Sequence, residues 1–264
     1  MTITYRLINL NRLPIDLFLE ILSFLPLPDL IRARCVCQHW RRLALKASLT
    51  PSRRRLLQLY YDILASPAFI PTRSAVIDYL RPFDRADYVQ NVYAAMTLLL
   101  KQPRFESCHA ASTGTVSSVE LCYLPLDFET WVMEWPARAV ISWAWPGLDT
   151  MFGAHNGGPI CPYGANRLSP HRKPTWLPFQ PEEDEEAHGQ SFHRCNTIAL
   201  EVWDEGSGKS QYLMLTPCAK RLWGGVYSTQ PGGVREPVAE TWIGYQRDTL
   251  KRLERWFQEN NRDA

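Results

Sequence analysis

The sequence predicts an α+β fold in which an N-terminal helical part precedes a C-terminal α+β module with a small antiparallel sheet. Three observations predict it. From residue 12 to 110 apolar positions recur at spacings of three and four, punctuated by Pro14, Pro26, Pro28, Pro51, Pro67, Pro71, Pro82 and Pro103, the pattern of short helices in an array. Beyond that stretch glycine and proline become frequent, nine of the ten tryptophans occur, and short β-prone runs separate two amphipathic helices. The charge changes sign at the same place: residues 1–110 carry 15 Lys/Arg against 8 Asp/Glu, residues 111–264 carry 14 against 19. The Ser/Thr/Gly-rich stretch from Ala110 to Val119 has no apolar period and is the expected boundary.

Size and composition narrow the function classes. At 264 residues, 45% hydrophobic and 21% charged, the chain has ordinary globular composition and can bury two modest cores. No uninterrupted apolar run approaches the ~20 residues that cross a bilayer. Met1 to Asn11 lacks the charged, apolar and small-residue regions of a secretory signal. The expectation is a cytoplasmic or nuclear protein with no membrane partner. The seven cysteines, Cys35, Cys37, Cys108, Cys122, Cys161, Cys195 and Cys218, are odd in number and scattered, so they read as free thiols of a reducing compartment. Arg41, Arg42 and the triplet Arg53, Arg54, Arg55 suit either an acidic partner or the solvated faces of helices. No zinc-finger spacing or RNA-binding aromatic signature accompanies them, so no nucleic-acid partner is expected.

The first helix carries the most information. Between Ile15 and Leu25 the only polar residues are Asp16, Glu20 and Ser23, which form one narrow stripe at 100° per residue. Ile15, Leu17, Phe18, Leu19, Ile21, Leu22, Phe24 and Leu25 cover more of the circumference than packing on one neighbour requires. Such a helix needs cover on two sides, the second supplied by its own chain or by a partner. Pro14 suits the first turn, and Pro26 and Pro28 end this helix and pre-set the next, from Asp29 to about Val36. A third follows around Gln38 to Ser48, with Trp40 and Leu43 to one side.

The order LPIDLFLEILSFLPLPDLIRARCVCQHWRRLA, residues 13 to 44, resembles an F-box. The Leu-Pro start, the Ile/Leu spacing, the Leu-Pro-Asp-Leu turn, the Val-Cys pair and the Trp-Arg of the third helix stand in register. The resemblance implies a trihelical module that binds the Skp-type linker of a cullin-RING ubiquitin ligase of the SCF type. Carried over position by position, it implies a partner-facing set of Leu13, Pro14, Ile15, Leu17, Ile21, Leu22, Leu25, Leu30, Val36, Cys37 and Trp40. The division expected is an F-box at 1–50, a helical spacer at 51–110 and a C-terminal module at 111–264. In the spacer Leu56, Leu57, Tyr60, Tyr61 and Leu64 mark one helical face. The stretch PSRRRLLQLYYDILASPAFIPTRSAVIDYLRPFDRADYVQNVY, with WVMEWPARAVISWAWPGL after it, resembles the body of a group of fungal F-box proteins.

In the last part Leu124-Pro125 opens a helix with Asp127 and Glu129 in its first turn and Phe128, Trp131, Val132 and Trp135 on one face. Two β-prone runs, Thr197 to Trp203 and Gln211 to Thr216, are joined by DEGSGKS, a hairpin loop by composition. A last helix from about Gln246 to Gln258 aligns Leu250, Leu253, Trp256 and Phe257. The LPxxF helix, the strand pair after Trp176 to Phe179, the Gly-Val-Tyr strand and the closing helix resemble the SUKH superfamily, which implies a protein-binding α+β module. The stretch from Pro146 to His193 departs from that compact pattern as a long insert.

No chemical motif survives inspection. Gly206-Ser207-Gly208-Lys209-Ser210 imitates the end of a phosphate-binding loop, but Trp203 stands where its first glycine belongs and a strand-like run follows where a helix N-terminus is required. His193 and Cys195, with His171 and His188 nearby, lack the second pair that completes a tetrahedral zinc set. No G-x-S-x-G occurs, and Cys161-Pro162 carries no thiol-nucleophile signature. The acidic run Glu182 to Glu186 reads as a solvated loop or a dock for a basic partner. Trp131, Trp135, Trp143, Trp145, Trp176, Trp203, Trp223 and Trp242 read as core or as a binding groove. The expected function is therefore a non-catalytic adaptor that needs no cofactor or metal. It docks on a Skp-type linker and a cullin-RING scaffold through the N-terminal helices and holds an unknown target with the C-terminal module. The alternative is a regulatory binding protein whose F-box serves assembly without ubiquitination.

Overall fold

Proline and short polar side chains set where the helices begin. In the computed structural model the described residues are 13–102, 123–141, 144–148, 164–168, 170, 172–179, 195–205, 208–215, 223–230 and 233–260. Three short helices come first: α1 (Ile15–Phe24), α2 (Leu27–Val36) and α3 (Gln38–Lys46). Pro14 and Pro26 occupy the N-cap positions of α1 and α2, where a missing N–H costs nothing, and Cys37 caps α3 by accepting from the Trp40 amide. Helix α2 thus starts two residues before its sequence-based expectation, and α3 stops two residues before Ser48. The longer helices α4 (Pro51–Ala65) and α6 (Arg85–Leu100) follow, with the short α5 (Phe69–Ile77) between them and Thr50 and Asp84 as side-chain caps of α4 and α6.

Helix α7 (Leu126–Glu134) opens on Pro125, and Trp135, just before Pro136, is its C-cap. Its apolar face buries Phe128, Trp131 and Val132. Downstream lie β1 (Ala165–Asn166), β2 (Thr175–Phe179), β3 (Cys195–Asp204), β4 (Ser210–Met214), β5 (Val226–Gln230), β6 (Gly233–Ala239) and α8 (Trp242–Asn260). The sheet runs β1-β3-β2-β6-β5-β4, and β4 also pairs β3, so five strands close into a ring with β1 and β2 sharing one edge of β3. All pairings are antiparallel except one parallel step, Phe179 opposite Val234. Two corrections follow. The stretch from Pro146 to His193, read as an insert, supplies β1 and β2, and Trp176 to Phe179, read as preceding the strands, is itself a strand.

One hydrophobic core runs from Phe18 in α1 to Leu253 in α8. Its centre is aromatic: Trp131 lies edge-on to Trp145 at 4.7 Å and to Trp242 at 4.9 Å, and Phe128 meets Trp242 at 5.1 Å. Ile198, Leu200, Val202, Leu213 and Val226 present one face of the sheet to that core, whereas Ala199 and Met214, on the other face, form a small separate cluster with Leu177, Tyr212 and Tyr227. Buried Asn166 donates to the carbonyls of Trp145 and Leu148 and so ties β1 to the segment after α7. That segment also reaches the helices, since Arg81 N–H donates to Gly147 O at 2.7 Å. A Cβ on Gly147 would stand 2.5 Å from the Arg81 carbonyl, which is why the position is glycine. Helix α4, expected as part of a spacer, contributes Leu56, Leu57, Leu59, Tyr60 and Ile63 to the same core, and Tyr60 meets Trp135 edge-on at 6.3 Å.

Candidate partner-binding surface

Helix α1 buries one side and leaves another open. Phe18 and Leu22 enter the core at 4% and 1% exposure. Leu17, Ile21 and Phe24, spaced four and three apart, form an outward stripe at 49%, 43% and 75%, and Ile15 adds 51% at the start of the helix. No described element covers this stripe. Val36 and Cys37 are exposed at the α2–α3 junction. Trp40 is half-buried because its ring stands edge-on to Phe18 with centroids 4.7 Å apart.

Of the residues expected to face a partner, Pro14, Ile15, Leu17, Ile21, Val36 and Cys37 are exposed, and Leu13, Leu25 and Trp40 are half-buried. Leu22 and Leu30 are not surface residues: at 1% and 0% exposure they hold α1 and α2 onto the rest of the chain. Motif positions alone do not separate them from the outward-facing ones, because burial depends on which side of each helix packs on the core. Phe24, absent from that set, is the most exposed large apolar residue described. Its signal was available, since it completes the stripe of Leu17 and Ile21.

A polar clasp holds α1 and α2 against the C-terminal part. Glu134, at the end of α7, accepts from the Leu27 amide at 2.8 Å through Oε2. Both of its oxygens also take the Arg53 guanidinium, at 2.6 Å from Nη2 to Oε1 and 2.9 Å from Nε to Oε2. Arg53 Nη1 donates to the Ser23 carbonyl at 3.4 Å, at the last turn of α1. The bonds to Glu134 raise the Arg53 guanidinium above its usual value. Nearby, Ser52 and Arg55 both donate to Asp127 Oδ1. Two of the three consecutive arginines of α4 are therefore paired with intramolecular acids.

A trihelical array with a half-uncovered apolar first helix is the geometry now on hand. Residues 10–51 match the model of the F-box domain. The match spans α1 to α3 and ends at the first residue of α4. No match was found among curated proteins or among solved structures. F-box domains bind Skp-type linkers in SCF ubiquitin ligases, and the proteins that carry them are in general non-catalytic adaptors.

The remaining sequence candidates fall outside any site. Gly208 and Lys209 lie in the turn of the β3–β4 hairpin, where Glu205 N–H donates to Lys209 O at 2.9 Å and Gly208 has φ of +77°. No helix N-terminus follows the loop, so it offers no phosphate cradle. Trp131, Trp135, Trp145, Trp203 and Trp242 are core, and Trp223 is 38% exposed. Trp143, the side chain of Trp176, Cys161, His171, His188, His193, Glu182 to Glu186 and the expected boundary from Ala110 to Val119 lie outside the described residues. Among the described residues no group of three or more His, Cys, Asp or Glu is placed to hold a metal ion. No described helix is long and apolar enough to cross a membrane.

Proposed function

We propose that this chain is an F-box substrate-receptor adaptor of an SCF-type cullin-RING ligase. The observation that carries the reading is the open side of α1: Leu17, Ile21 and Phe24 stand 43–75% exposed, with Ile15 51% exposed at the start of the helix, while Phe18 and Leu22 are buried in the core. Burying such a stripe against a partner returns roughly 1.5–3 kcal/mol per large side chain. A contiguous apolar face of this kind marks an interaction site. The Skp-type linker takes it, together with Pro14, Val36, Cys37 and the exposed edge of Trp40. Residues 1–50 act as the F-box, 51–110 as the helical connection and 111–264 as the module that holds the target. The helix, curved sheet and closing helix of that module support a SUKH-like, protein-holding reading, and the body's likeness to fungal F-box proteins supports the same assignment.

The test is co-purification. The full chain co-expressed with a Skp-type linker should elute with it as one complex. A variant carrying Leu17→Ser and Ile21→Ser should elute alone at unchanged melting temperature. Elution of the wild-type chain apart from the linker would overturn the proposal.

A further inference from the structure

We infer that Glu134 is a positioning residue that sets the tilt of the F-box relative to the C-terminal module; the inference rests on the adaptor reading above. A carboxylate at the C-terminal end of a helix opposes that helix's dipole, so Glu134 is unfavourable within α7 alone. It is held there by what it reaches in the F-box. Its Oε2 meets the Leu27 amide at the N-terminus of α2, where the dipole favours negative charge, and its other contacts bind Arg53, whose Nη1 reaches the end of α1 at Ser23. One side chain thus engages the start of one F-box helix directly and the end of another through a single arginine. Glu134 is 14% and Arg53 21% exposed in their side chains, so solvent competes little with these bonds.

Beside the clasp the seam between the two parts is open. A cleft of about 370 Å³ lies between Pro28 and Arg32 of α2 and Pro136, Ala137 and Arg138 after α7. Its walls are three small apolar side chains, Pro28, Pro136 and Ala137, and two arginines. Rocking of α2 toward or away from residues 136–138 is therefore resisted at this seam by the bonds of Glu134, two residues from one wall of the cleft, in addition to the packing of Leu27, Leu30 and Ile31 in the core. Apolar contacts of α4 with α2 keep the parts attached, and the bidentate ion pair adds a directional restraint to that packing. In an adaptor, this tilt decides where a held target stands relative to the linker-bound scaffold.

The experiment uses the full chain, alone and bound to the linker, with spin labels on bio-orthogonal residues at positions 32 and 138, which leave the cysteines untouched. Wild type should give one narrow distance distribution in both states. Glu134→Ala should broaden it and speed exchange of the Leu27 amide about tenfold, the loss of roughly one hydrogen bond's protection. Glu134→Gln, which keeps an acceptor for Leu27 but loses the ion pair, should fall between them. Linker affinity should stay within about twofold of wild type in both variants, since Glu134 lies off the α1 stripe. Unchanged distance distributions in both variants would overturn the inference. Failure of the wild-type chain to bind the linker would instead defeat the adaptor reading, and the distances in the unbound chain would still decide the role of Glu134.

Discussion

The Ser52 hydroxyl donates a 2.5 Å hydrogen bond to Asp127 Oδ1, joining the first turns of α4 and α7 at a point where the residues are 2% and 8% exposed. Arg55 Nη2 reaches the same oxygen at 2.7 Å from a half-exposed position. Asp127→Ala leaves a buried hydroxyl without an acceptor, which costs about 1–3 kcal/mol, whereas Ser52→Ala leaves Asp127 its arginine and costs less. Denaturant melts of the two variants and the double variant check this ordering. Equal losses from both single variants would assign the energy to packing rather than to the bond.

Helix α1 offers a contrast within one element. Leu17→Ser, at a residue 49% exposed, should change stability by less than about 0.5 kcal/mol, whereas Leu22→Ala, at 1% exposure, should cost roughly 2–5 kcal/mol. Linker affinity should show the reverse pattern at equal folded fraction: a large loss for Leu17→Ser and little for Leu22→Ala. Thermal melts paired with titration of the linker measure both quantities.

The free chain exposes the same stripe, so it should bind a hydrophobic dye and self-associate when expressed without the linker. Light scattering and dye fluorescence, before and after adding linker, test this. A monodisperse chain that binds no dye would contradict it.

Alkaline pH should destabilise the protein in a defined window. Burial pushes the Tyr245 hydroxyl up to about 12, and it pushes that of fully buried Tyr88 up further. For both groups the unfolded chain releases its proton near pH 10 while the folded chain retains it, so stability falls as pH rises above about 10. Tyr88→Phe should flatten that fall. It should also leave the neutral-pH melting temperature equal or higher, because the Tyr88 hydroxyl is buried with no hydrogen-bond partner among the described residues. Melting temperatures of wild type and variant between neutral pH and pH 11 decide the matter.

The hairpin loop yields a further prediction. Gly208→Ala should cost about 1 kcal/mol, since Gly208 has φ of +77°, whereas Lys209→Ala should be silent in stability and in partner binding. Measurable nucleotide binding by wild type, lost in Lys209→Ala, would reverse the reading of this loop as a turn.

Local signals carried what the sequence could determine alone. The Leu-Pro starts, the narrow polar stripe of α1, the Phe128–Trp131–Val132 face and the Thr197–Trp203 run each depend on neighbours within a turn or a strand. Helix and strand periodicity therefore exposed α1 to α3, α7, β3, β4 and α8, and the motif of residues 13 to 44 exposed the F-box. Strands β1 and β2 were not legible. Two residues of β1 hold no period, and Pro178 breaks the strand pattern of β2, whose pairing with β3 is set by residues some twenty positions away.

Only the tertiary structure decided which apolar residues of the F-box face outward. Leu17 and Leu22 are the same residue type on the same helix, and their 49% and 1% exposures follow from where α3 and α4 pack. It also decided that Arg53 and Arg55, alike in a basic triplet, serve Glu134 and Asp127, acids more than seventy residues away. Composition and periodicity report a residue's own preference for water or for a core. Which neighbour meets that preference depends on contacts between distant segments, and those exist only once the chain has folded.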